Sequence, residues 1–184
     1  MPLDGAFLFL GTGDWEDPNS WEIYDPIAYP APDDGWGFTG SYPGQSPGGT
    51  YTVTIEATHT ITITSNLVTE QLGDVIVNGT LDLIGGSSPK EITLKTPLLD
   101  IAGGGFLVFD TQKTDLYLPA NSVIQIDNGG NISGACSGNT EIYIGNDLIA
   151  VCTGGGGSVL TFSQLEAGGG SLNAVISEPT NNNS

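Results

Sequence analysis

The sequence predicts an all-β chain wound into a short right-handed parallel β-helix, with a β-sandwich as the alternative architecture. Three observations point there. Residues 51–177 hold a train of short apolar runs, most of which alternate with period 2 as half-buried strands do. The runs recur roughly every seven to eleven residues, with Gly, Asn, Asp, Ser or Pro between them. The composition is rich in Thr, Asn, Ile and Val, with 28 glycines among 184 residues, and no helical period persists beyond two turns.

Taken in order, residues 1–50 read as an irregular N-terminal cap rich in aromatics, Pro and Gly, as in "GDWEDPNSWEIYDPIAYPAPDDGWGFTGSYPGQSPGGT". Residues 51–177 read as the β-helix. Its strands begin with "YTVTI", "HTITIT", "DVIV" and "TLDLI" and continue through "EITLK", "LLDIA", "FLVFD", "DLYLP", "VIQID", "NIS", "EIYIG" and "LIAV" to "VLTF". Strands this short, with one or two inward residues each, suit a solenoid of about three strands and roughly 20 to 30 residues per coil, or about five coils. The turn Asn78-Gly79 is the best hairpin signal and the main support for a sandwich. "FSQLEAGGG", residues 162–170, is the one candidate helical turn, and "EPTNNNS", residues 178–184, reads as a linker leading onward to a longer polypeptide.

Charge narrows the partners. The chain carries 3 Lys+Arg against 21 Asp+Glu, a net charge of −18, and its only cations are Lys90, Lys95 and Lys113. Such a surface is repelled by nucleic-acid phosphates and by anionic membranes. No 18-residue apolar stretch is present, so no membrane insertion is expected. "AFLFLG" is too short for a signal h-region, and the chain reads as a mature secreted protein.

The only cysteines, Cys136 and Cys152, bracket a hairpin-sized segment. With no histidine beside them they make a poor zinc site, and no nearby cation lowers a thiol pKa. They read as a structural disulfide worth about 3 kcal/mol in the chain-entropy model, which implies an oxidising, extracellular or cell-surface setting.

Catalytic signals are sparse, and no enzymatic activity is expected. His59 is the single histidine, and it lies in a Thr-rich alternating run. A carboxylate pair would suit glycosidic hydrolysis. The candidates are Asp14, Glu16 and Asp17 near Trp15 and Trp21, and Asp33 with Asp34 near Trp36. The same tryptophans also suit sugar binding, or a cap over the end of the core. No cofactor is implied. Calcium is compatible with the abundant oxygen ligands, but no EF-hand loop or nonapeptide repeat occurs. Thr50, Thr52 and Thr54, then Thr58, Thr60, Thr62 and Thr64, lie in period-2 rows confined to two adjacent runs, which is ordinary strand composition rather than an ice-binding ladder.

The ordered signature "GDWEDPNSW … YPAPDDG … YTVTIEATHTITI … VNGTLDL" resembles the start of secreted surface proteins of Bacteroidetes. "IQIDNGGNISGACSGNTEIYIGNDLIAVCTGGGGSVLTFSQLEAGGGSLNAV" is similar to modules near the N-terminus of large type IX-secreted adhesins, gliding-motility adhesins among them. The pattern spans most of residues 11–176 and shares strand logic with G8-type domains. It departs from the group in the insertion "WGFTGSYPGQSPGGT". The resemblance implies a non-enzymatic, cell-surface β-helical module of a longer polypeptide, with other surface proteins or polysaccharide as partners. A carbohydrate-binding or carbohydrate-active β-helix using the N-terminal Trp and Asp/Glu residues is the alternative.

Overall fold

The computed structural model describes residues 6–9, 11–30, 34–38, 40–47, 49–84, 89–109, 114–134, 140–152 and 175–176. The chain opens with β1 (Phe7–Phe9) and β2 (Thr12–Asp14), followed by the antiparallel pair β3 (Trp21–Tyr24) and β4 (Trp36–Phe38). Strand triplets follow. The first is β5 (Val53–Ile55), β6 (Thr60–Ile63) and β7 (Leu67–Val68), and the second is β8 (Val75–Val77), β9 (Thr80–Leu83) and β10 (Lys90–Thr93). The third is β11 (Leu98–Ile101), β12 (Phe106–Phe109) and β13 (Thr114–Leu118), and the fourth is β14 (Val123–Ile126), β15 (Asn131–Gly134) and β16 (Thr140–Ile144). β17 (Asp147–Cys152) folds back antiparallel on β16, and β18 (Val175–Ile176) adds in parallel to β14.

Each strand pairs in parallel with its counterpart one coil away, which makes the fold a parallel β-solenoid and removes the sandwich alternative. Val53 lies beside Val75, Val75 beside Leu99 and Leu99 beside Ile124, so three full turns separate β5 from β14. Three sheets result: one through β5, β8, β11 and β14, one through β6, β9, β12 and β15, and one through β7, β10, β13 and β16. The turn count among the described residues is lower than the sequence suggested, because β17 turns back on β16 where a further coil strand was expected. The candidate helical turn at 162–170 and the tail 178–184 lie outside the described residues.

Period 2 explains the interior. Inward columns form from Val53, Val75 and Leu99, from Ile61, Leu81, Leu107 and Ile132, and from Ile92, Leu116 and Ile142, all of them buried. Burying one such side chain contributes about 1.5–3 kcal/mol, and most strands bury a second inward residue beside the first, as Ile55, Ile63, Val77 and Leu83 do.

Strand pairing also reaches into the segment expected to be irregular. β1 pairs in parallel with β5, and β2 with β6, so these two strands extend the solenoid's sheets before residue 51. The cause lies in the side chains: Phe7 and Trp15 take inward positions and continue the apolar interior. β3 then crosses antiparallel to β1 and places Trp21 over that end.

Asn78-Gly79 is a corner of the solenoid rather than a hairpin. Gly79, Gly105 and Gly130 immediately precede β9, β12 and β15 and stack one above another. A Cβ at Gly105 would lie 1.9 Å from the Val77 carbonyl oxygen, and one at Gly130 would lie 2.3 Å from that of Ile101. Only glycine permits the coils to approach this closely.

Candidate ligand-binding groove

The N-terminal aromatics divide by burial. Trp15 and Trp21 are fully buried and belong to the core, so neither offers a face to a ligand. The Trp15 indole N–H donates to the Pro43 carbonyl at 3.1 Å, and that of Trp21 donates to the Trp15 carbonyl at 2.9 Å. Trp36 is half-buried and meets Tyr24 edge-on at 5.3 Å.

The acidic candidates are engaged in local structure. Asp14 accepts the Glu16 backbone N–H at 2.8 Å and the Thr64 hydroxyl at 2.7 Å, which ties β2 to the coil beside it. Glu16 accepts the Ser65 hydroxyl. Asp17 caps the short 3-10 turn Pro18–Ser20 by accepting the Asn19 backbone N–H at 3.0 Å. Asp34 is exposed in a turn with φ 57°, and Asp33 lies outside the described residues. Asp14, Glu16 and Asp17 thus each serve a turn or an inter-coil hydrogen bond, and the tryptophans beside them, Trp15 and Trp21, are buried. His59 sits at the corner before β6 rather than inside a strand, where its carbonyl accepts the Thr80 N–H at 2.8 Å.

The same N-terminal architecture builds a groove the sequence reading did not anticipate. Residues 41–47 fold over the first turns and leave a cavity of about 260 Å³ lined by Phe7, Tyr42, Ser46, Tyr51, Gln71 and Leu72 among others. Three contacts fix this wall. Trp15 holds Pro43 as described, the Glu70 N–H donates to the Gly44 carbonyl at 2.8 Å, and the Gln45 N–H donates to the Tyr42 carbonyl at 3.1 Å. Gly44 has φ 76°, and a Cβ there would meet the Thr69 Cβ at 2.5 Å, so this residue lets the segment lie flat on the solenoid.

Inside the groove Phe7 meets Tyr51 at 5.9 Å between ring centroids, tilted by 59°. Gln71 donates its amide N–H groups to the Leu72 and Lys95 carbonyls, each at 2.9 Å. That orients its carbonyl oxygen as the remaining acceptor. The Tyr42 hydroxyl is held protonated above the usual tyrosine range, by burial first and by the Glu16 charge second. The pieces come from residues 7, 41–47, 49–51 and 71–72, and only the coil geometry joins them. Isolated Tyr-Pro and Tyr-Thr dipeptides gave no signal of it.

A second surface feature lies on the outward side of the β10–β13–β16 sheet. Tyr117 and Tyr143 stack in parallel at 4.9 Å, beside a registered row of Glu91, Asp115 and Glu141. The pairing Asp115↔Glu141 follows from that register, and the Glu141 N–H donates to Asp115 at 3.1 Å. The Tyr143 hydroxyl donates to Glu141 at 2.9 Å. Among the described residues no group of three or more His, Cys, Asp or Glu side chains has the geometry to hold a metal ion.

Cys152 ends β17, opposite Thr140 of β16, so the inter-cysteine segment does contain an antiparallel pair. Cys136, and with it the expected disulfide, lies outside the described residues. No helix among the described residues is long and apolar enough to cross a membrane. No protein-family model matches the chain, and neither a curated protein nor a solved structure matches it significantly.

Proposed function

We propose that the chain is a non-enzymatic extracellular module of a bacterial surface adhesin, acting in attachment or partner docking. The observation that carries this reading is the use made of the acidic-aromatic N-terminal segment. Asp14, Glu16 and Asp17 are hydrogen-bond acceptors that fasten turns and coils, and Trp15 and Trp21 close the end of the core. The residues best suited to hydrolysis are thus committed to building a rigid, capped scaffold. A capped end also protects the solenoid from edge-to-edge association.

The resemblance of residues 11–176 to type IX-secreted and gliding adhesins supplies the setting, which is secretion, the cell surface and a longer polypeptide of which this is one part; the cysteine pair adds a proposed Cys136–Cys152 disulfide. A charge of −18 favours partners that are neutral, or bridged by a divalent ion, over anionic polymers. The second reading, carbohydrate binding, is favoured by the groove beside Tyr42 and Tyr51.

Blotting the producing cells and their medium with an antibody to this domain tests the adhesin reading. A product of several hundred kilodaltons in the surface fraction, together with loss of cell attachment when the domain is deleted in frame, is the expected result. A free product near 19.0 kDa that leaves attachment unchanged on deletion overturns it.

A further inference from the structure

We propose that the groove between residues 41–47 and the first turns binds a single residue of a neutral saccharide, a ligand class that deepens the carbohydrate-binding reading. Four properties of the groove point there.

The first is charge. None of the described residues lining the groove is charged, although the chain as a whole carries −18. Glu16, whose charge is felt at Tyr42, is not part of the wall and accepts the Ser65 hydroxyl, so a cation bound there would have no carboxylate in direct contact. An anion such as a uronate would enter against the field of the whole molecule. What remains is an uncharged ligand.

The second is the mixture of surfaces. Phe7, Tyr42 and Tyr51 give an aromatic wall and Leu72 an apolar patch, while Ser46 and Gln71 add polar groups at the rim. Apolar ring surface beside a few fixed polar groups suits a pyranose, which has C–H-rich faces and a belt of hydroxyls. Among the described residues the Tyr42 and Tyr51 hydroxyls make no hydrogen bond within the protein, so they stand ready as donors and acceptors. The raised pKa of Tyr42 keeps its hydroxyl a donor throughout the physiological range.

The third is size. About 260 Å³ lies just below the roughly 300–1,000 Å³ of sites for drug-sized ligands and so admits no more than one sugar unit, with the rest of a chain leaving through the open side.

The fourth is rigidity. Pro43 is held by Trp15, Gly44 by Glu70, and Gln71 by two backbone carbonyls, so the walls are set before any ligand arrives. Preorganisation of this kind reduces the ordering cost of a weak, small ligand.

Saturation-transfer NMR and calorimetry on the full 184-residue chain test the proposal, with maltotriose, cellotriose and xylotriose as neutral probes and trigalacturonate as the charged one. At least one neutral trisaccharide is expected to bind with Kd of about 0.1–5 mM. Ser46 is exposed, so Ser46→Trp fills the groove without touching the core and should weaken that binding more than tenfold. Tyr42→Phe and Tyr51→Phe should each weaken it several-fold while leaving the thermal transition in place. Trigalacturonate should not bind. The proposal is overturned if no neutral probe binds at about 20 mM, if binding is unchanged in Ser46→Trp, or if the charged probe binds as well as the neutral ones. These outcomes are independent of polypeptide mass and attachment, so the adhesin reading can fail while the groove still binds sugar, and the reverse.

Discussion

The Trp21 indole N–H donates to the backbone carbonyl of Trp15 at 2.9 Å, and the two rings meet edge-on at 5.2 Å between centroids. One contact thus joins the antiparallel β3 to the inward end of β2 and seals the solenoid. Phe7 completes the seal from β1, lying 6.3 Å from Trp21 at an interplanar angle of 86°. The aromatic cluster does at the N-terminal end what the aliphatic columns do within the coils.

Removing the seal should cost as much as a large core truncation. Trp21→Ala is expected to lower stability by about 3–5 kcal/mol, measured by chemical denaturation. Trp36→Ala, at a half-buried position, should cost far less. Fluorescence gives an independent check: acrylamide should quench Trp36 readily and the Trp15–Trp21 pair poorly. Equal quenching of all three would mean that the cap is open in solution.

Much of the coil architecture was legible because it is written in period 2. "YTVTI", "DVIV" and "TLDLI" each display their inward residues directly, and Val53, Val75 and Leu81 are buried as the alternation requires. The corner at Asn78-Gly79 was ambiguous for a physical reason. Locally, Asn-Gly satisfies a hairpin turn as well as a solenoid corner. Its meaning depends on Gly105 and Gly130 lying in the same column, which is visible only once the coil period is known. β1 and β2 were hidden for a related reason, since each is three residues long and pairs with strands more than forty positions later. The groove was not legible at all, because Tyr42, Tyr51 and Gln71 carry no shared sequence pattern and meet only through the fold.

The glycine column makes a graded prediction. Gly105→Ala drives a methyl group into the Val77 carbonyl and should destabilise the chain by about 1–3 kcal/mol or more. The neighbouring Gly104 has φ 89° with open space around its missing Cβ, so Gly104→Ala meets only the backbone penalty of about 1 kcal/mol. Thermal denaturation of the two variants should therefore rank Gly105→Ala below Gly104→Ala. The reverse order would show that the coils are not packed through this column.

Two tyrosines should titrate late. Tyr143 is held protonated above the usual range chiefly by its hydrogen bond to Glu141, with burial and nearby negative charge adding to the effect. Tyr42 is raised by burial and by Glu16. In an alkaline absorbance titration, Tyr143→Phe should remove one of the late-ionising phenols, and Glu141→Gln should move that step to lower pH. A titration unaltered by Glu141→Gln would show that the Tyr143–Glu141 bond is absent in solution.

Asp100 offers a test in the opposite pH range. It sits on the outward side of β11 with Oδ1 buried and without a hydrogen-bond partner among the described residues. Its pKa is raised by burial first, then by the charges of Asp127 and Asp74. A carboxyl whose folded-state pKa exceeds its unfolded value favours folding while protonated, and that advantage is lost as pH rises through the folded-state pKa. At neutral pH the ionised Asp100 is therefore a net cost to the folded state, so Asp100→Asn should stabilise the protein there. The gain should shrink as pH falls and vanish below the ordinary carboxylate range, where the wild-type side chain is already neutral. Denaturation midpoints of the two proteins from pH 3 to pH 8 check this. A constant difference across that span, or a loss of stability at neutral pH, would show that Asp100 makes a favourable interaction as the anion, such as bridging by a bound cation.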